Sequence, residues 1–332
     1  MNILKKTIPV FLMILLIAGV FTSCGSSDKK QSDKSLQIVT TVFPAYDWTK
    51  EILGDRAEDA ELTMLLDDGV DVHSYQPTAE DLEKIASCDL FIYVGGESDE
   101  WVEDALKSKT NKNRVEINLL DALGDSVKEE EEAEGMQSEE EHEHEGEEAE
   151  SEEPEQDEHI WLSLRNAEVC TQAIADQLKK LDPSNKTEYE DNEAAYKEEL
   201  TGLDKAYQDT IDHAKRKTLL FADRFPFRYL ADDYGLKYYA AFKGCSAETE
   251  ASFKTITFLA NKVDEENLPY VMTIEGSDQK IAKSVISNTK KKTQQILTMD
   301  SMQSTTAQDV KDGKSYLSVM EENLSVLQKA LN

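Results

Sequence analysis

From Leu36 onward, short β-branched runs alternate with stretches of helical period. Leu36–Phe43, bounded by Pro44, reads as a buried strand feeding a helix over Ala45–Leu53. A second strand over Glu61–Leu66 turns through Asp67, Asp68 and Gly69, and Pro77 suits the first turn of a helix whose apolar face is Leu82, Ile85 and Ala86. Leu90–Val94 runs into Gly95-Gly96 as a core strand, followed by a helix over Asp99–Lys107 and a strand over Arg114–Leu119. Strands alternating with helices predict a parallel sheet covered on both faces.

Between Ser184 and Lys215 the pattern changes. Tyr189, Tyr196, Leu200, Leu203, Tyr207, Ile211 and Ala214 lie on one face of a single long helix, with Gly202 its weak point. At 1.5 Å per residue it would extend roughly 45 Å, enough to bridge two domains as a stiff strut. Alternation then returns: strands over Thr218–Ala222, Leu236–Phe242, Tyr270–Glu275 and Ile296–Met299, helices over Phe227–Tyr234, Ser252–Val263 and Lys280–Ser287, and an amphipathic terminal helix over Tyr316–Leu331. The fold class expected is α/β: two Rossmann-like lobes, residues 36–183 and 216–332, with mainly parallel sheets joined by one rigid helix over 184–215.

Two stretches fall outside this pattern. Met1–Lys6 is basic and Ile8–Val20 apolar but short for a membrane span, so residues 1–23 read as a signal peptide. Phe21-Thr22-Ser23-Cys24-Gly25 resembles the bacterial lipobox, which implies acylation of Cys24 and leaves residues 24–35 as a flexible tether. The second stretch, Glu129–Glu158 within a loop of about 126–158, is nearly unbroken glutamate carrying His142 and His144. Like charges repel and almost nothing apolar is present to bury, so disorder is expected. Such a tract is either a solvated insertion or a tethered cloud of ligands for divalent cations.

The formal net charge is -32, much of it from this tract. No basic stripe could neutralise phosphates, which excludes nucleic acid as a partner and favours cations. Cys88, Cys170 and Cys245 are an odd set without CxxC spacing; they read as inert buried thiols rather than a disulfide framework or a thiolate site.

Open α/β sheets bind ligands beyond the carboxyl ends of their strands. That rule selects His73 after the second strand, His159 after the acidic tract, Asp223 and Arg224 ending Thr218–Ala222, and Glu275 ending Tyr270–Ile274. If both lobes face one cleft, imidazoles from the first meet carboxylates from the second, a donor set suited to zinc or manganese. Each residue also has a plainer reading: His73 in a turn, His159 packed on the ring of Trp161, Asp223 capping a helix, Glu275 pairing with Lys280.

Val72-His73-Ser74-Tyr75-Gln76-Pro77, Asp157-Glu158-His159-Ile160-Trp161-Leu162-Ser163 and Gly313–Met320 resemble motifs of the zinc/manganese solute-binding lipoproteins of ABC importers. The resemblance runs through the linking helix and the acidic loop. It implies two lobes around a bound metal, lipid anchoring at the extracytoplasmic face of the bacterial cell membrane, and delivery of the ion to an ABC permease by a monomer. It places His73 and His159 as the first two ligands and an acid, Glu275 or in its stead Asp278, as the fourth. The third falls on Arg224, which has no lone pair to give. At about 5 Å and an effective dielectric near 20, a guanidinium would oppose a divalent cation by roughly 6 to 7 kcal/mol. It must therefore turn away or be neutralised, with Asp223 or water filling the vacant place. Glu248 and Glu250 match an acidic loop of the family and are candidate partners of Arg224 or Arg228.

Zinc is favoured over manganese because imidazole suits it better. The alternatives are a metal-dependent adhesin, or a receptor for an anion or metal chelate anchored by Arg224 and Arg228. An enzyme is not expected, since the chain has neither HExxH nor GxSxG.

Overall fold

The computed structural model describes residues 35–137, 155–246 and 250–332. The signal peptide, residues 24–34 of the tether including Cys24, His142, His144 and Glu248 lie outside those residues. In chain order the elements are β1 (Gln37–Thr40), α1 (Phe43–Leu53), β2 (Glu61–Met64), α2 (Ala79–Ser87), β3 (Leu90–Tyr93), α3 (Trp101–Lys107), β4 (Val115–Asn118), α4 (Leu119–Leu123) and α5 (Leu164–Leu181). They continue as α6 (Lys186–Asp212), β5 (Thr218–Arg224), α7 (Arg228–Tyr234), β6 (Lys237–Phe242), α8 (Phe253–Glu265), β7 (Tyr270–Ile274), α9 (Lys280–Asn288), β8 (Gln295–Met299), α10 (Ala307–Lys311) and α11 (Tyr316–Ala330).

The strands form two four-stranded sheets, β2-β1-β3-β4 and β6-β5-β7-β8, and every pairing within them is parallel. Both sheets have the same order, so each reverses direction between its first and third strand, where a crevice opens beyond the carboxyl ends. Strand β1 is shorter than its apolar run, because Phe43 and Pro44 already belong to α1. A proline in the first helical turn loses no hydrogen bond, so it starts the helix rather than separating it from the strand.

Helix α6 is the predicted strut, 27 residues long and about 40 Å at 1.5 Å per residue. It buries Tyr189, Tyr196, Leu200, Tyr207 and Ile211. Near one end Asn192 Nδ2 donates to the carbonyl of Ile52 in α1 (3.1 Å); further along, the Tyr207 hydroxyl donates to the carbonyl of Met320 in α11 (2.6 Å). The apolar core is continuous from Ile38 through α6 to Leu331, while Leu220, Ala222, Phe242, Leu259 and Val285 form a smaller cluster under α8 and α9. A continuous core resists free hinge motion between the halves, because opening it would expose apolar surface. No helix among the described residues is long and apolar enough to cross a membrane.

The acidic tract departs from its expected disorder at both ends. Glu129 bridges Gln156 in antiparallel fashion, with Glu130 N donating to Glu155 O (2.8 Å) and Asp157 N to Lys128 O (2.8 Å). Residues 129–137 then cross onto the second sheet, where Met136 is buried and Gln137 N donates to Ala241 O (2.9 Å). The expected repulsion is offset by cations distant in sequence: Glu130 faces Lys243 (3.4 Å), Glu131 faces Arg228 (3.6 Å) and Glu134 faces Lys262 (3.6 Å).

Helix α11 docks on α1 through Trp48 and Tyr316, whose rings meet edge to face at 5.2 Å, and through Tyr316 N donating to Asp47 Oδ2 (2.8 Å). Burial pushes the Asp47 carboxyl up to about 6 even though it accepts this hydrogen bond. A carboxyl that holds its proton more tightly when folded loses stability as pH rises from its unfolded value near 4 to about 6. Asp47→Asn keeps the acceptor and removes the titration. Wild type is therefore expected to lose on the order of 2 kcal/mol relative to Asp47→Asn between pH 4 and pH 7, read by urea unfolding across that range. A constant difference across the range would contradict the account.

Candidate metal centre

Asp71 builds the turn that carries His73. Its side chain accepts the His73 N–H (3.1 Å) at the start of the single turn Val72–Ser74, and this aims the imidazole beyond the first sheet. His73 Nδ1 lies 2.7 Å from Ser98 Oγ, which leaves Nε2 to face inward. His159 is held in the same way by Asp157, whose Oδ1 accepts both the backbone N–H (2.9 Å) and the Nδ1 proton (2.9 Å). That bond fixes the tautomer with its lone pair on Nε2 and raises the basicity of that nitrogen. The His159 ring is fully buried against the edge of Trp161, which donates from Nε1 to Ser301 O (2.8 Å).

The two imidazoles converge, with Nε2 to Nε2 at 3.2 Å. Nitrogens bonded to one tetrahedral zinc at about 2.0 to 2.1 Å would stand about 3.3 Å apart. Two lone pairs so close repel unless a donor or cation lies between them. Here the Gln303 carboxamide Nε2 is hydrogen-bonded to both, at 3.1 Å from His73 Nε2 and closer to His159 Nε2. Burial, and then His159 opposite, push His73 down to about 3, so it is a neutral donor at ordinary pH. For His159 burial acts in the same direction, but the Asp157 hydrogen bond and the charges of Asp157, Glu158 and Glu130 outweigh it and hold the imidazole above its usual value.

Glu158 lies behind His73, on the Nδ1 side of its ring. Its Oε1 accepts the Ser98 N–H (2.7 Å), while Oε2 is buried without a hydrogen-bond partner, 3.9 Å from His73 Nδ1. Gly96, at φ +82°, makes room for it, since a Cβ there would stand 2.5 Å from Glu158 Oε1.

The expected carboxylate ligands are not gathered with the imidazoles in this structure. Glu275 lies at the end of β7 as expected, but its oxygens accept Ser301 N (2.7 Å), Ser301 Oγ (2.6 Å) and Gln303 N (3.2 Å). The side chain of Gln303 thus stands between the Glu275 backbone contacts and the two rings. Asp223 accepts the N–H groups of Arg224 (3.0 Å) and Ile274 (3.4 Å), tying β5 to β7. Asp278 is exposed, accepts Lys280 N (2.8 Å) and pairs with the Lys280 ammonium.

Arg224 is neutralised, though not by the acids anticipated. Its Nη2 meets Asp71 Oδ2 at 2.5 Å, so the guanidinium pairs with the residue that caps the His73 turn. Arg228 faces Glu131 rather than Glu250, whose carbonyl accepts Gln137 Nε2 (3.3 Å).

Among the described residues, the His, Cys, Asp and Glu donors that come together are His73, His159 and Cys245, all within 4.8 Å of one another. Cys245 follows β6 and had read as an inert thiol; its position beyond a strand's carboxyl end in the second half was the available signal. Gln303, beyond β8, was likewise not singled out. Two imidazoles with a thiol beside them, a carboxylate a residue away and acids behind both rings form a donor set for a divalent transition metal.

The chain's likenesses agree with that chemistry. The family model described as the periplasmic zinc-uptake complex component A, ZnuA, matches residues 38–330. The zinc-binding lipoprotein AdcA of Streptococcus pneumoniae is 34% identical over 322 residues, covering 96% of this chain but 60% of AdcA, so the chain spans under two thirds of that relative. The high-affinity zinc uptake system protein ZnuA of Bacillus subtilis is 32% identical over 328 residues, covering 96% of this chain and 97% of that protein. The crystal structure of the Zn(II)-bound ZnuA-like domain of Streptococcus pneumoniae AdcA has a TM-score of 0.69 at 31% identity, covering 90% of this chain and 99% of that one. With the match running through nearly all of the described fold, this chain belongs to the ZnuA family, whose members are metal-binding components of uptake systems and not enzymes.

Proposed function

We propose that this chain is an extracytoplasmic solute-binding lipoprotein, anchored through Cys24, that captures zinc and delivers it to the permease of an ABC importer. The observation that carries the reading is the convergence of His73 and His159 to 3.2 Å between Nε2 atoms, each ring oriented from behind through its Nδ1. Glu275 is the carboxylate that enters when an ion displaces Gln303, because Gln303 N is already hydrogen-bonded to it. Imidazole favours zinc over manganese. Arg224 is taken up by Asp71 and Arg228 faces Glu131, which weighs against an anion receptor.

Residues 138–154, with His142 and His144, act as a collector that raises the local concentration of cations near the site. Residues 129–137 anchor it to the second sheet. Cells lacking the chain are expected to accumulate less zinc from limiting medium, and the wild-type chain to restore uptake. A variant with a Gly/Ser linker of equal length at 138–154 is expected to restore it only partly, while its zinc affinity by chelator competition matches wild type. Normal zinc accumulation without the chain, with no metal in the purified protein, would refute the transport role; a large loss of intrinsic affinity in the linker variant would refute the collector role.

A further inference from the structure

We propose that Cys245 is a metal ligand, its thiolate supplying the third donor to the ion held by His73 and His159. The inference rests on the zinc-capture reading and concerns which atoms form the site. The Cys245 sulfur and the two imidazoles lie within 4.8 Å of one another, a spread that a zinc ion with bonds of about 2.0 to 2.3 Å closes by a shift of roughly an ångström. The position that the family resemblance gives to the third ligand holds Arg224 instead, whose guanidinium faces Asp71.

The surrounding chain holds the thiol where this role needs it. Gly244 packs its backbone against His159: a Cβ there would stand 3.0 Å from Cε1 of that ring and 3.1 Å from the carbonyl of Phe225, so a larger residue would push the loop and Cys245 away. Cys245 N donates to Glu130 Oε1 (3.0 Å). Glu130 also takes part in the backbone pairing with Glu155, two residues before Asp157, so one strap fixes both Cys245 and the segment that orients His159. The other described cysteines differ: Cys88 is buried and donates to the carbonyl of Ile85, and Cys170 is enclosed in the core on α5. A second observation points to a cation here. The buried Oε2 of Glu158 lies 3.9 Å from His73 Nδ1 without a hydrogen-bond partner, an uncompensated acceptor that a cation bound nearby would satisfy electrostatically.

Binding forms a metal–sulfur bond and releases the thiol proton to solvent, with no change of oxidation state. The resulting donor set of two imidazoles, one thiolate and the Glu275 carboxylate favours zinc, cadmium and cobalt(II) over manganese(II).

The test uses cobalt(II) and cadmium(II) as probes on the intact protein. Wild type is expected to show a thiolate-to-metal charge-transfer absorption at one equivalent, and Cys245→Ser to lose it while still binding the ion by equilibrium dialysis, with zinc affinity reduced at least tenfold. Cys245→His, which offers a nitrogen at the same place, is expected to recover affinity without the absorption, which guards against a folding defect. Zinc is also expected to protect Cys245 from iodoacetamide. Cobalt bound to wild type without the charge-transfer band, or a band that persists in Cys245→Ser, would overturn the thiolate assignment and leave zinc capture standing. Failure of wild type to bind either ion or zinc would overturn both.

Discussion

His159→Ala is expected to lower zinc affinity by more than ~100-fold, beyond the ~10–100-fold typical of losing a residue that only supports a ligand. The ring is fully buried, with Nδ1 committed to Asp157 and Nε2 3.2 Å from its counterpart on His73, so truncation removes an oriented donor nitrogen from the middle of the centre. His73→Ala is expected to act in the same direction, since Ser98 holds its far nitrogen as Asp157 holds that of His159. Competition with a chromophoric chelator measures both. Near-wild-type affinity in both variants would exclude the imidazole pair as the site. Apo stability provides the control: truncating a ring packed on Trp161 leaves a cavity, so His159→Ala is also expected to melt earlier than His73→Ala, whose ring is only partly buried.

Those two histidines were legible in the chain because each follows local punctuation. His73 sits between a strand and the proline before α2, and His159 where the acidic run stops and apolar residues resume. The alternation of strands and helices was legible for the same reason: Gly and Pro bracket apolar runs of the right length. Helix α5 was not anticipated. Its buried face is Leu164, Asn166, Ala167, Cys170, Thr171, Ile174, Ala175 and Leu178, and the small and polar residues among them weaken the periodic signal. What sequence could not place were contacts made only by tertiary folding. Ser301 reaches Glu275 from 26 residues away, Gln303 reaches His159 across 144 and Asp71 reaches Arg224 across 153. The ordered start of the acidic tract escaped notice likewise, since Arg228, Lys243 and Lys262 lie a hundred residues or so further on. Local composition reports repulsion within a segment and not the cations that the fold brings to it.

The pairing of Arg224 with Asp71 leads to the second large effect. Asp71 has two tasks: Oδ1 accepts the His73 N–H, and Oδ2 meets the Arg224 guanidinium. Asp71→Asn keeps an oxygen for the turn but removes the charge, leaving a largely enclosed guanidinium whose field reaches His73. Breaking one side of a buried pair costs about 3–5 kcal/mol, and since both partners retain some exposure a loss of about 2 kcal/mol in apo stability is expected. Zinc affinity is expected to fall by about tenfold or more, because even ~1.4 kcal/mol of unscreened repulsion is a factor of ten. Arg224→Gln in the same background removes the offending charge, so Asp71→Asn/Arg224→Gln is expected to bind zinc more tightly than Asp71→Asn alone. The thermodynamic cycle over the two positions isolates the pair from the turn. Equal zinc affinities in the single and double variants would mean that the arginine's charge is not felt at the ion, and Asp71 would then matter to the site only through the shape of the His73 turn.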